Sequence, residues 1–160
     1  MLPPSRRDAV LALVARAGLG IVTLPITNLY LQGRDATYAP PRGLPALHAI
    51  LAAGIPLAAG ADNVRDPFNP AGRADPFETT ALLQTAGHLT GDQALHAVTT
   101  GARAVLGLPK AGVEPGDVAD LLLVPDVDLG DILAGTEDAR VVLHSGRVVA
   151  DTRVQRSVDL

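Results

Sequence analysis

The sequence predicts an α/β chain whose first part alternates helix and parallel strand and whose last part turns antiparallel. Three observations predict it. Two short apolar runs, Gly20 to Leu24 (GIVTL) and Ile55 to Ala59, each follow a segment with helical spacing of apolar residues. Two strong helix starts, at Asp75 and Thr90, come after the second run. Beyond Gly112 the character changes to Gly/Pro/Asp-rich turns between short β-branched runs. Alternation of the first kind belongs to parallel sheets covered by helices, and the tail reads as an antiparallel sheet.

Taken in order, Ser5 and Asp8 form an S-x-x-D capping pattern behind Pro3 and Pro4, which are expected to bar any earlier helix. Val10, Leu13, Val14 and Ala17 then repeat at helical spacing, with Gly18 suited to the position just past the end. The GIVTL strand is expected to close at Pro25, followed by a polar stretch from Thr27 to Arg42 with a Pro40-Pro41 stop. A second helix is expected from about Leu44 to Ala53, with Pro45 in its first turn and Gly54 beyond it. Asp75-Pro76-Phe77-Glu78 supplies an N-cap, a proline at N1 and an acid at N3 for a helix reaching about Gly87. Thr90 with Gln93 repeats the capping box, and Leu95, Val98 and Ala102 carry one helical face on toward Leu106. Leu121 to Val124 is a strand, Asp128 to Leu133 a helical turn, and Arg140 to Leu143 with Arg147 to Ala150 a hairpin around Ser145-Gly146. The last nine residues show no period.

Composition narrows the function classes. With 160 residues, 48% hydrophobic and 19% charged, the chain is globular in character. Two Tyr, two Phe, no Trp and a net charge of −4 argue against nucleic-acid binding by stacking or by a basic surface. Zero cysteines remove disulfides, thiolate metal sites and a Cys nucleophile. No apolar run reaches the ~20 residues of a membrane span, so no membrane partner is expected and the cytoplasm is the expected compartment.

Chemistry concentrates between Ile55 and Glu78, where an apolar segment runs into a loop carrying Asp62, Asn63, Arg65, Asp66, Asn69 and Arg73. Strands that end in a carboxylate and a polar loop are how α/β barrels build active sites. Two parallel strands alone leave unpaired edges, so the pattern reads as the end of a larger sheet. The four histidines, His48, His88, His96 and His144, show no metal-binding spacing and read as structural.

These residues resemble the amidohydrolase superfamily, most closely its cytosine deaminase branch. Leu24 to Arg34 (LPITNLYLQGR) is similar to the family segment after barrel strand seven, and Gly60 to Phe68 (GADNVRDPF) to the segment at strand eight. Thr100 to Leu108 with Gly112 to Leu121 resembles the superfamily's closing pattern, and His144 to Val149 its terminal hairpin. The resemblance implies a partial (β/α)8 TIM barrel, about strands 7 and 8 with flanking helices, in residues 1–110, and C-terminal strands of a small β-sandwich domain in 111–160. It implies hydrolytic deamination of cytosine or a related N-heterocycle with a divalent metal, Zn or Fe.

By the same resemblance Asp62 is the catalytic and metal-binding carboxylate, while Asn63, Phe68 and Gln32 bind substrate. Each also has a purely structural reading: an Asx-turn for Asp62, a turn-forming Asn63, a rim hydrophobe for Phe68, a loop-fixing role for Gln32. The family's His-x-His, its further histidines, its proton-moving glutamate and its ring-reading glutamine have no counterpart here, and residues before Met1 are expected to carry them. The isolated chain is therefore expected to be silent. The alternative is a non-catalytic remnant or half of a split barrel, which needs a partner bearing the His ligands. Partner expectations beyond the small-molecule substrate are a homo-oligomer or a complementing N-terminal half.

Overall fold

The computed structural model describes residues 2–38, 43–135, 138–155 and 157. It divides into two compact units, Met1–Leu108 and Pro109–Leu160. In the first unit the order is α1 (Pro4–Arg16), β1 (Ile21–Thr23), α2 (Pro25–Leu31), α3 (Leu47–Ala52), β2 (Leu57–Ala59), α4 (Pro76–Thr85), α5 (Gly91–Val98) and α6 (Thr100–Val105). The second unit holds β3 (Leu121–Leu123), α7 (Leu129–Leu133), β4 (Arg140–His144) and β5 (Arg147–Thr152).

β1 and β2 pair in parallel, Ile21 opposite Leu57 and Thr23 opposite Ala59. They form a two-stranded sheet among the described residues. β2 is buried along its length, and Leu57 and Ala59 join Leu11 of α1, Ile50 of α3, Leu83 of α4 and Ala97 of α5 in one core. This unit is therefore organised as helices around β2. β1 is less covered: Val22 keeps 49% of its surface exposed. The edge of β1 away from β2 pairs with no strand among the described residues, and such an edge is where a further strand would add.

Several local expectations change. α1 starts at Pro4, two residues earlier than the capping pattern required, so Ser5 lies inside the helix and makes no cap. Proline is at home there because its missing N–H would be an orphan at N1 anyway. Asp8 takes the Arg7 guanidinium at 2.8 Å instead of a backbone donor. Pro25 does not close the strand into a polar loop. For the same reason it opens α2, a helix running through residues read as irregular. α3 begins at Leu47, beyond Pro45. The expected Pro40-Pro41 stop lies outside the described residues.

The face read as one helix from Thr90 toward Leu106 is two helices, broken at Thr99 (φ −119, ψ −103). The Thr99 hydroxyl donates to the Leu95 carbonyl at 2.7 Å, a side-chain bond that competes with the helical ladder. The break lets α6 approach β2, where Gly101 lies buried against the Leu57 carbonyl. Both later N-caps hold. Asp75 accepts from the Phe77 N–H, and Thr90 and Gln93 close a reciprocal capping box.

In the second unit β3, β4 and β5 form an antiparallel sheet in that order, with a register irregularity between Val142 and Leu143. Ser145 (φ 50) and Gly146 (φ 75) make a two-residue hairpin turn with both φ positive. Asp120 anchors that turn. Its Oδ1 accepts from the Ser145 N–H at 2.8 Å and pairs with His144 Nδ1 at 2.9 Å.

Candidate active-site loop

The loop begins where β2 runs out. Gly60 N–H donates to the Thr23 carbonyl at 3.1 Å, the last rung between the two strands. The Thr27 hydroxyl of α2 donates to the Ala61 carbonyl at 3.4 Å, tying the segment after β1 to the segment after β2. Asp62 follows in the left-handed region, at φ 59. Such a conformation costs a non-glycine residue roughly 1 kcal/mol, least for Asp and Asn, whose short polar side chains bond locally. Its side chain is exposed and lines a pocket of about 320 Å³ with Gly60, Val64, Pro76, Thr79 and Val98. The expected catalytic carboxylate thus stands at the carboxyl end of a parallel strand, in a cavity.

Asp66 holds the rest of the loop. Its Oδ1 accepts the Phe68 N–H at 2.9 Å and the Asn69 N–H at 3.0 Å, and its Oδ2 accepts the Asn63 side-chain amide. Asn69, 2% exposed, donates from Nδ2 to the Asn63 carbonyl at 2.6 Å. A methyl at Gly72 would collide with that same Nδ2, so the glycine leaves room for the bond. Between them these groups close the turn that follows Asp62.

The other expected site residues are placed unequally. Asn63 is half-buried and its amide is committed to Asp66. Phe68 is 53% exposed at the loop tip. Gln32 is exposed at the end of α2, its N–H donating to the Asn28 carbonyl at 2.9 Å, and it is not among the residues lining the Asp62 pocket. Arg34 stacks over Tyr30, 4.5 Å from the ring centre. Sequence reasoning missed Thr27 and Thr79, and it placed Asn69 in the loop without giving it a role. A buried Thr or Asn gives no pattern in one sequence, and only the fold shows that these touch the loop.

Do these residues fit a divalent metal? Among the described residues no group of three His, Cys, Asp or Glu side chains could hold one. His96 Nδ1 is bonded to the Thr100 hydroxyl at 2.8 Å, and His144 is held by Asp120. Asp62 offers one carboxylate, whereas catalytic sites take three or four protein ligands. The donor set of this chain alone does not fit a complete metal centre.

Comparison with known proteins agrees with the geometry. A family model described as the amidohydrolase family matches residues 1–150. The pterin deaminase of Rhizobium rhizogenes is 40% identical over 145 residues, covering 88% of this chain and 33% of that protein. The structure of 5-methylcytosine deaminase from Klebsiella pneumoniae, liganded with 5-fluorocytosine, superposes with a TM-score of 0.85. The match covers 98% of this chain and 39% of that one at 20% identity, a likeness of fold. The structure of N-isopropylammelide isopropylaminohydrolase from Burkholderia multivorans gives a TM-score of 0.77 at 31% identity, covering 94% of this chain and 36% of that one. The chain spans a third or less of the length of the curated relatives it matches.

Proposed function

This chain belongs to the amidohydrolase family, and we propose that it supplies the Asp62-bearing portion of a metal-dependent hydrolase that deaminates cytosine or a related N-heterocycle. In this reading β1 and β2 are strands seven and eight of the barrel, within residues 1–110. β3, β4 and β5 belong to the small β-sandwich domain, within 111–160. The observation that carries the proposal is Asp62 itself, a carboxylate at the carboxyl end of a parallel strand, exposed in a pocket of about 320 Å³. The deaminating relatives support the reaction class.

Net chemistry is the replacement of a ring C–NH2 by C=O. Water adds to the amino-bearing carbon, the tetrahedral centre collapses, and ammonia leaves with the proton it needs. A carboxylate in the pocket can take a proton from the attacking water and return it to the leaving nitrogen, the work of a general base that becomes a general acid. We assign the first step, taking the proton from the attacking water, to Asp62. Phe68, half exposed at the loop tip, offers an aromatic face to a flat ring, and Gln32 an amide from the neighbouring loop. Zinc or iron is the expected metal, with Asp62 as one ligand and the remaining ligands from outside these 160 residues.

A second reading follows from the incomplete donor set: the chain acts as one half of a barrel, silent until a partner with the histidine ligands completes it, or as a non-catalytic remnant. The cytoplasm is the proposed compartment. A chimera separates the readings. This chain replaces the matching segment of the Rhizobium pterin deaminase, zinc or iron(II) is supplied, and ammonia release is followed with cytosine and pterins. We expect release that D62N lowers roughly 10²- to 10⁴-fold, the usual range for a positioned acid–base group. The chain alone should release none. A chimera that folds by gel filtration and circular dichroism yet releases no ammonia from any substrate overturns the deaminase reading. Release by the chain alone overturns the half-barrel one.

A further inference from the structure

We propose that Thr79 is a ligand-contacting residue of the Asp62 pocket: its hydroxyl donates a hydrogen bond to a ring nitrogen or carbonyl of the bound heterocycle. This rests on the deaminase reading and deepens it by naming a second polar contact in the same cavity.

A threonine in a helix has a ready partner for its hydroxyl, the carbonyl one turn back. Three threonines of this chain use it. The Thr80 hydroxyl donates to the Pro76 carbonyl at 2.9 Å, that of Thr85 to Ala81 at 2.7 Å and that of Thr99 to Leu95 at 2.7 Å. Thr79 does not. Its backbone N–H reaches the Asp75 carbonyl at 3.4 Å, but its side chain makes no hydrogen bond among the described residues. Thr79 is nevertheless 1% exposed. A threonine hydroxyl both wholly enclosed and without a partner occurs at Thr23, and Thr79 does not share that state. The sliver of Thr79 that solvent reaches is therefore its hydroxyl, and the space it borders is the Asp62 pocket.

The side chain is firmly held there. Thr79 lies near the start of α4, whose first turn is capped by Asp75 and whose Leu83, one turn on, is fully buried in the core. Across the cavity, Ala59, Val64 and Val98 give apolar surface, and Asp62 and Thr79 are the polar side chains of the lining. A mostly apolar cavity with a few placed polar groups is the usual form of a small-molecule site, and a volume of about 320 Å³ suits a small ring compound.

Polarity decides which part of the ring each group meets. An ionised carboxylate only accepts, whereas a hydroxyl has a hydrogen to give. Asp62 therefore suits an N–H or amino group, and Thr79 suits an unprotonated ring nitrogen or a carbonyl. The aminoheterocycles of the proposed reaction carry both kinds of group on one ring. In the free protein, water takes the Thr79 hydrogen. A ligand that expels this water without accepting the hydrogen leaves a buried donor unpaired, which a desolvated site penalises.

Two substitutions separate the hydroxyl from the shape of the side chain. Thr79→Val keeps the shape and removes the hydroxyl, and Thr79→Ser keeps the hydroxyl. In the 160-residue chain, Thr79→Val should leave the urea midpoint unchanged or raise it, because no bond within the protein is lost. The chimera is then supplied with zinc or iron(II) and offered cytosine and pterin. Thr79→Val should raise KM about tenfold for the substrate that is deaminated, with a smaller effect on kcat, as loss of one hydrogen bond to the ligand implies. Thr79→Ser should bring KM back to within about threefold of the natural chimera.

A Thr79→Val chain whose midpoint falls by more than about 0.5 M overturns the proposal, because the hydroxyl is then bonded within the protein. An active chimera whose KM is unmoved by Thr79→Val refutes this inference alone, as does one in which Thr79→Ser raises KM as much as Thr79→Val. If the natural chimera folds yet releases no ammonia, the deaminase reading fails and the ligand contact falls with it.

Discussion

Gly101→Ala is the substitution for which propensity and packing give opposite answers. Gly101 is the second residue of α6, and alanine is about 1 kcal/mol better than glycine inside a helix. On local grounds the change stabilises. The structure says otherwise, because a Cβ there would lie 2.7 Å from the Leu57 carbonyl oxygen and 2.8 Å from that of His96. Both are backbone atoms, one in the buried strand β2 and one near the end of α5, so neither can swing aside as a side-chain tip could. Overpacking of this kind costs about 1–3 kcal/mol, occasionally more, and here it acts on the strand that leads to Asp62. Because both neighbours are backbone atoms the cost falls in the upper part of that range, about 2–3 kcal/mol, and we expect a net loss of about 1–2 kcal/mol once the helix gain is subtracted. With a urea m-value near 2 kcal/mol/M, the midpoint should fall by roughly 0.5–1 M. Far-UV circular dichroism is the suitable probe, since the chain has no Trp and two Tyr. Gly130→Ala is the control: Gly130 lies in α7 with nothing within 4 Å of the added methyl, so it should gain up to about 0.5 kcal/mol. A Gly101→Ala chain as stable as the natural one, or more so, would refute the reasoning.

Three further substitutions test other parts of the structure. Leu83→Ala removes a fully buried side chain from the core of the first unit and should cost about 2–5 kcal/mol in chemical denaturation; a loss below about 1 kcal/mol would mean α4 is not packed as described. Thr23→Val replaces a buried hydroxyl that has no hydrogen-bond partner among the described residues with a methyl of the same shape, so stability should hold or rise by about 1 kcal/mol. A clear loss would show that the hydroxyl is bonded. In β5 and just beyond it, Arg153 bonds Asp151 at 2.8 Å and its hydrogen bond holds the Asp151 carboxyl below its usual value. The pair's contribution is therefore fully present above the ordinary Asp range and is lost as pH falls through the lowered value. Arg153→Ala should move the Asp151 midpoint upward in an NMR titration of the carboxyl carbon, and an unmoved midpoint counts against the pair.

What can be read from one sequence depends on how local the cause is. Asp75 and Thr90 announce their helices because a cap is made by residues two or three apart, and both caps are present. The apolar runs of β1 and β2 are visible because a buried strand has to be apolar. Proline misleads in the opposite direction. Pro25 reads as a stop, yet the restriction on φ that bars it from a helix interior suits it to a first turn, and α2 begins there. The break at Thr99 is invisible for a different reason. It is decided by the approach of Gly101 to β2, a strand more than 40 residues away in sequence, and helical spacing on either side of the break is undisturbed.

Asp62 and Asp66 show the same division within the site. Asp62 is found by resemblance, since residues expected to touch ligand recur in recognisable runs, and its position at the end of β2 agrees with that reading. Asp66 sits four residues on in the same run and reads as a shaper of the loop. Its hydrogen bonds give that role a mechanism, for the partners of one carboxylate decide which end of Asn63 is free. A run of letters records that an aspartate stands near an asparagine; it does not record which of them donates. Chemical complementarity does, once the distance is known, because one partner has nothing to donate. What the fold adds is the commitment of the Asn63 amide to Asp66, the contact that closes the turn after Asp62.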